Sequence, residues 1–175
     1  MELILNLIKI ETPLGEMIAI AHNHALLLLE FSDKKALDKE ISILETKFSK
    51  IVNSESNQIL EQLKVELLEY FAKKREEFTI PIEMFGTDFQ KSVWNYLLTI
   101  PYGKQKTYKE QALEMKNLLG IRAIATCNGK NILSIIVPCH RVLGSDGSLT
   151  GYAGGIKRKE FLLNLESKNQ QLTIF

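Results

Sequence analysis

Residues 135–142 read Ile135-Ile136-Val137-Pro138-Cys139-His140-Arg141-Val142, and the organisation of the chain is read outward from them. The preceding run, Ile132 to Val137, reads as a buried extended segment that Pro138 ends, because proline has no N–H to give to a ladder. A cysteine between apolar segments is ordinarily a small buried hydrophobe. Here His140 and Arg141 follow, and a thiol near cationic groups is a candidate nucleophile with a lowered pKa. Adjacent residues do not ordinarily face each other, so contact between His140 and Cys139 requires a turn or a bridging water. Spacing alone marks Cys139 as a candidate nucleophile. The second cysteine, Cys127, falls mid-helix among Ala and Thr and reads as packing.

Upstream of this stretch the pattern is helical. Thr87-Asp88 starts a helix with Phe89, Val93, Trp94 and Leu97 on one face, and Pro101-Tyr102-Gly103 follows its end. Thr107 caps a second helix through about Met115, and a third runs from about Leu118 to Cys127 with Ile121, Ile124 and Ala125 on its apolar side. Two short helices joined by a tight turn suit a helix-turn-helix, although most such pairs only build core. Downstream, Ile156 to Glu166 reads as a final helix with Phe161, Leu162 and Leu165 inward.

The first half reads differently. Leu3 to Glu11, Met17 to His22 and Leu26 to Phe31 are short strands separated by turn residues. Helices are expected over residues 34–50, capped by Ser32 or Asp33, and 57–74, with Ile59, Leu63, Leu67, Leu68 and Phe71 inward. Phe78-Thr79-Ile80 reads as a short strand rejoining the sheet, and Pro81 to Gly86 as a linker.

Composition bounds the function. The chain has 175 residues, 45% hydrophobic and 25% charged, which fits one or two small globular domains. Apolar runs such as Ala25 to Leu29 fall far short of the roughly 20 residues of a membrane span, and no secretory signal is visible. The expectation is a cytoplasmic protein without membrane contact. Two cysteines and the histidines His22, His24 and His140 complete no metal spacing, so no metal is expected. The net charge of +1 hides an asymmetry: residues 1–85 carry −5 and residues 86–175 carry +6. A basic C-terminal half suits a polyanion, and equally an ordinary solvated surface.

Taken together, several segments resemble the O6-alkylguanine-DNA alkyltransferases, or methylated-DNA–protein-cysteine methyltransferases. The residues that carry this are Gly86-Thr87-Asp88-Phe89-Gln90-Lys91-Ser92-Val93-Trp94, Ile100-Pro101-Tyr102-Gly103-Lys104, Arg122-Ala123, Asn128-Gly129-Lys130-Asn131, Pro138-Cys139-His140-Arg141-Val142 and Gly151-Tyr152-Ala153-Gly154-Gly155. The resemblance implies an α+β protein: a small α/β, ribonuclease H-like domain over residues 1–80, a linker at 81–86, and a mainly helical domain with a helix-turn-helix over 87–175. It covers the C-terminal half by motif; the N-terminal half matches in size and element order only.

The resemblance further implies a monomeric repair enzyme acting on duplex DNA that contains O6-alkylguanine, and also O4-alkylthymine, with no cofactor. Cys139 resembles the acceptor whose thiolate takes the alkyl group irreversibly. His140 resembles the residue that takes the thiol proton through a water, Glu166 the one that orients His140, and Asn131 the brace of the acceptor turn. Tyr108 resembles the tyrosine crowding the target phosphate, and Arg122 the residue that fills the stack after base flipping. Ala123, Ala125, Gly129 and Lys130 complete the DNA-facing helix in a minor groove. Trp94, Pro138, Val142, Tyr152, Ala153 and Gly154 resemble the pocket for the flipped base. The sequence departs at Ile132 (usually Pro), Ala125 (usually Gly), Cys127 (usually Ala), Gly120 (usually Ala) and Lys116-Asn117-Leu118 (usually Gly-Asn-Pro), changes that bear on DNA affinity more than on chemistry. Two other classes compete: a non-catalytic lesion sensor, which would lack the acceptor thiol, and a plain DNA-binding regulator, which would need no glycine-rich pocket loop.

Overall fold

The computed structural model describes residues 4–48, 51–53 and 56–168. Three strands, β1 (Leu5–Thr12), β2 (Gly15–Ala21) and β3 (Leu26–Phe31), form an antiparallel meander, which β4 (Ile51–Asn53) joins in parallel beside β1. The sheet order is β3-β2-β1-β4. Both faces are covered, which explains the continuous apolar run of β3. Met17, Ala19, Leu29 and Phe31 face one core, shared with α2 (Gln58–Phe71). Ile18, Ile20, Leu27 and Leu28 face the other, with Leu37 and Leu44 of α1 (Leu37–Lys47). The first core runs on without a break into Val93, Trp94, Leu97, Cys139 and Leu162 of the second half.

In that second half, α3 (Asp88–Leu98) and α4 (Tyr108–Glu114) each begin with a complete capping box, Thr87 with Gln90 and Thr107 with Glu110. A 3-10 turn at Leu118–Gly120 leads into α5 (Ile121–Gly129). Gln111 and Asn128 exchange two buried amide hydrogen bonds, of 3.1 and 2.8 Å, which lock α4 to α5. Two-residue strands β5 (Lys106–Thr107) and β6 (Val142–Leu143) pair in parallel, and α6 (Ile156–Glu166) closes the core.

The turn between α4 and α5 replaces glycine with lysine. Lys116 has φ +55°, while Lys116 N–H bonds Leu113 O and Asn117 N–H bonds Ala112 O. That is the bond pattern of a Schellman motif, whose left-handed position favours glycine.

Several expectations from sequence are corrected. Phe78-Thr79-Ile80 is not a strand, because the Thr79 and Ile80 amides bond the buried Glu66 carboxylate at 2.9 and 3.3 Å. The chain rejoins β3 slightly later, at the Leu26–Ile82 bridge. Helix α1 starts at Leu37 without a side-chain cap, because Asp33 is held instead by Arg158 at 2.8 and 3.0 Å. Leu68 and Phe161 lie on outer faces rather than inward. Ile132 to Val137 is a turn and not an extended run: Leu133 alone bridges to Leu29, Val137 N–H bonds Leu133 O, and Ile135 has φ +73°. The start of the first expected strand, Leu3, lies outside the described residues.

Candidate active site and nucleic-acid interface

The turn just described is what presents Cys139. A β-branched residue at positive φ is strained, so the turn persists only because its neighbours over-determine it. Leu29 holds it from β3, donating to Ile132 O and accepting from Ser134 N–H, each at 2.9 Å. Asn131 holds it from within: Oδ1 accepts from Leu133 N–H, and Nδ2 donates to Val137 O at 2.9 Å and reaches Cys139 Sγ at 3.4 Å. Cys139 opens a 3-10 turn (Cys139–Arg141) and is 9% exposed. Burial, opposed by the Asn131 hydrogen bond, pushes its thiol up to about 11. The lowered pKa expected from its neighbours is therefore not the resting condition, because Arg141 points at Glu166 instead.

Glu166, which sequence alone reads as an exposed helix end, is buried at the centre of the site. Its Oε1 accepts from Tyr70 Oη (2.7 Å), His140 Nε2 (2.8 Å) and Arg141 Nη2 (2.9 Å). Its Oε2 accepts from Arg141 Nε at 2.8 Å and from Gly103 N–H at 3.4 Å. Burial alone would raise this carboxyl, but the His140 and Arg141 bonds outweigh it and hold the group well below the usual carboxylate range. An ionised acceptor at Nε2 fixes the tautomer: His140 carries its proton on Nε2, leaving the Nδ1 lone pair free. Nδ1 is buried and has no hydrogen-bond partner among the described residues. Burial, against the pull of Glu166, lowers the imidazole pKa, so His140 rests neutral. A neutral imidazole with a free lone pair is able to accept a proton.

The Ile100–Lys104 segment wraps the same carboxylate. Ile100 O accepts from Arg141 Nη1 at 2.6 Å, Tyr102 Oη bonds Leu165 O at 3.3 Å, and a Cβ on Gly103 would stand 2.8 Å from Glu166 O. Glycine is required there twice over, since its φ is +72°. Sequence reasoning gives Tyr70 and Gly103 no role, and gives Arg141 one beside the thiol rather than at Glu166. Arg141 was within the visible motif, whereas Tyr70 comes from α2 and carries no local signal.

The other expected site residues divide. Tyr108 opens α4 half-buried, its pKa raised by burial and then by Cys139. Val142 is buried and its carbonyl accepts from Lys159 Nζ, which also bonds Thr150 O at 2.8 Å. Lys159 is fully buried, and burial lowers it to about 8. Tyr152 is buried, its hydroxyl without a hydrogen-bond partner among the described residues, and Gly154 is wedged so that a Cβ would meet Tyr152 Cε1 at 2.7 Å and Phe31 Cε2 at 3.0 Å. Ala153 is exposed and Pro138 buried. Trp94 is a core residue, its indole N–H bonding Cys127 O at 2.8 Å, and its edge lines a cleft of about 930 Å³ together with Ala153, Gly154 and Lys130.

Along α5, Arg122, Ala123, Thr126 and Lys130 are exposed, Ala125 and Gly129 half-buried, and Ile124 and Cys127 buried. The helix therefore presents one small-residue face with cations at both ends. Among the described residues no group of three His, Cys, Asp or Glu side chains could hold a metal ion. None of the described helices is long and apolar enough to cross a membrane.

Comparison with known proteins gives the family. Residues 7–84 match the family model of the 6-O-methylguanine DNA methyltransferase ribonuclease-like domain, and residues 88–168 that of the 6-O-methylguanine DNA methyltransferase DNA binding domain. A methylated-DNA–protein-cysteine methyltransferase of Methanosarcina barkeri is 40% identical over 161 residues, covering 91% of this chain and 96% of that one. The inducible enzyme of that name from Bacillus subtilis is 40% identical over 137 residues, covering 78% and 76%. The crystal structure of Mycobacterium tuberculosis OGT in complex with DNA superposes with a TM-score of 0.78 at 36% identity, covering 93% and 92%. With both matched segments in order and relatives 40% identical over most of its length, the chain belongs to the methylated-DNA–protein-cysteine methyltransferase family.

Proposed function

We propose that this protein repairs duplex DNA by direct reversal, moving the alkyl group of O6-alkylguanine irreversibly onto its own Cys139. The observation that carries the reading is the bond from Glu166 to His140 Nε2, which leaves Nδ1 without a partner among the described residues, on the residue that follows the buried Cys139. A thiol raised to about 11 is not a standing thiolate, so its proton must leave as the reaction proceeds. His140 Nδ1 takes that proton through a water, and Glu166 stabilises the imidazolium that forms. The sulfur lone pair forms the S–C bond while the C–O6 bond breaks, its electron pair passing into the purine. The proton balance closes when the purine N1 is protonated, leaving guanine and a thioether. A thioether has no easy leaving group, so each molecule acts once.

Reaching O6 requires the nucleotide to leave the stack, at a cost of a few kcal/mol. The small-residue face of α5 lies in the minor groove, Arg122 fills the stack, and Lys130 meets a phosphate. Tyr108 crowds the target phosphate. Trp94, Pro138, Val142, Tyr152, Ala153 and Gly154 frame the base, with the Ala153 N–H turned to O6. Retention of Cys139, His140 and Glu166 speaks against a lesion sensor. The reading places a monomer in the cytoplasm with the DNA it serves.

The test is stoichiometry. With duplex carrying a labelled O6-methyl group in excess, label on protein should plateau at one methyl per molecule while an equal amount of guanine is restored. Continued turnover, or restored guanine without labelled protein, would defeat the proposal.

A further inference from the structure

The carboxylate that serves His140 is shared with the N-terminal half of the chain. Tyr70 stands in the last turn of α2, fully buried, and its hydroxyl donates to Glu166 Oε1 at 2.7 Å across 96 residues of sequence. The same oxygen accepts from His140 Nε2 at 2.8 Å. The phenol ring is held in place by Phe78, with centroids 5.2 Å apart, and by Tyr102, edge-on at 6.1 Å. Tyr102 sends its own hydroxyl to Leu165 O and does not compete for the carboxylate. Three side chains donate to Oε1. Arg141 is always charged and His140 is the group that the proposed reaction protonates, whereas Tyr70 gives a neutral O–H. A backbone carbonyl would satisfy a buried tyrosine hydroxyl; this one is aimed at the charge that governs the base.

We propose that Tyr70 is a positioning residue of the alkyl transfer: by donating to Glu166 Oε1 beside His140, it limits how strongly the carboxylate stabilises a protonated imidazole. His140 is thereby kept neutral, with its Nδ1 lone pair available. The inference rests on His140 being the base. A bond that stabilises the carboxylate by itself weakens the call of that oxygen on its other donors; without it, His140 and Arg141 share the whole accepting capacity of Oε1. The remaining groups around the imidazole have settled signs. Burial, Arg141 and Lys159 lower its pKa, and Glu166 raises it. Cys139, which precedes it, rests as a neutral thiol. Tyr70 stays protonated, because burial and then the Glu166 charge push its phenol far above the ordinary range, and Tyr102 is raised by burial, Glu166 and Glu76. Neither tyrosine titrates with His140, so Tyr70 acts through its hydrogen bond and not through a charge of its own.

The test is the pH dependence of single-turnover methyl transfer from O6-methylguanine duplex, for the full chain as wild type and as Tyr70→Phe. The ratio of variant to wild-type rate should be near or above one on the alkaline side. It should fall roughly three- to tenfold as pH drops through the range where His140 takes up its proton. Lost packing alone would slow the variant by the same factor at every pH, and such a constant ratio would overturn the inference. Proton NMR of the His140 Nε2–H, read at neutral pH without DNA, gives a second measure. Its resonance should move downfield in Tyr70→Phe as the bond to Oε1 strengthens; an unmoved or upfield resonance would overturn the inference as well. Should Tyr70→Phe fail to fold, 3-fluorotyrosine placed at position 70 decides, since fluorine makes the phenol a stronger donor with little change of shape. Both readouts should then move the opposite way, and unmoved ones overturn the role of Tyr70. Methyl on wild-type Cys139 with a constant rate ratio defeats that role alone; no methyl on wild-type Cys139 defeats it together with the proposed function.

Discussion

Replacing Glu166 with Gln keeps the shape of the site and removes the negative charge in contact with His140. The carboxylate accepts on both oxygens, from Tyr70, His140 and Arg141 on one and from Arg141 and Gly103 on the other. An amide has one accepting end, so its NH2 must face donors whichever way it turns. Arg141 is then left buried with its charge uncompensated, its side chain being only 8% exposed. Removing one partner of such a pair costs about 3–5 kcal/mol. For a chain of this size that corresponds to a fall in Tm of about 10 °C. The pH dependence has a definite sign. The folded carboxyl lies below its unfolded value, so its stabilisation is complete above an unfolded pKa of about 4.3 and is lost as pH falls through the folded value. Wild type and Glu166→Gln should therefore differ most near neutrality and converge in acid. Methyl transfer should slow on the order of 10²-fold, because His140 loses both its tautomer bias and its counter-charge. The assays are urea denaturation across pH and single-turnover transfer. Equal midpoints at neutral pH, or full-rate transfer by the variant, would refute this account of Glu166.

Other expectations follow from single contacts. Tyr70→Phe removes one hydrogen bond to that carboxylate and should cost about 1.5–3 kcal/mol in denaturant unfolding while leaving the native fold intact by circular dichroism. Lys116→Gly relieves a left-handed lysine in the helix turn and should raise stability by roughly 0.5–1 kcal/mol; a lower urea midpoint would contradict the turn geometry. Gly154→Ala forces a methyl against Tyr152 and Phe31 and should destabilise by about 1–3 kcal/mol, with transfer slowed because the pocket loop must move. Arg122→Ala should weaken duplex binding and slow transfer from DNA, yet leave iodoacetamide labelling of Cys139 unchanged; slowed labelling would show that Arg122 acts on the thiol rather than on DNA.

The chemistry-bearing part of the molecule was legible because it is encoded locally. Cys139, His140 and Asn131 lie within ten residues, and the turn that joins them is made by the chain's own amides. Glu166 was legible only through family resemblance, since a helix-end glutamate has no local mark of burial. What the sequence hid are effects of distant partners. Asp33 reads as a helix cap until Arg158 takes its carboxylate, and Phe78-Thr79-Ile80 reads as a strand until Glu66 takes its amides. Ile132 to Val137 has the composition of a strand, and only the edge of β3 together with the Asn131 side chain folds it into a turn. Tyr70 is an ordinary residue of a helix, and gains significance only because the two halves share one core.

The most direct test of the central claim is to incubate the protein with duplex DNA bearing a single O6-methylguanine and map the product by peptide mass spectrometry. The account predicts one methyl on the Cys139 peptide, none on that of Cys127, and none anywhere in Cys139→Ala. Tight binding of the lesion with no methyl on the protein, or methyl at Cys127 alone, would contradict it.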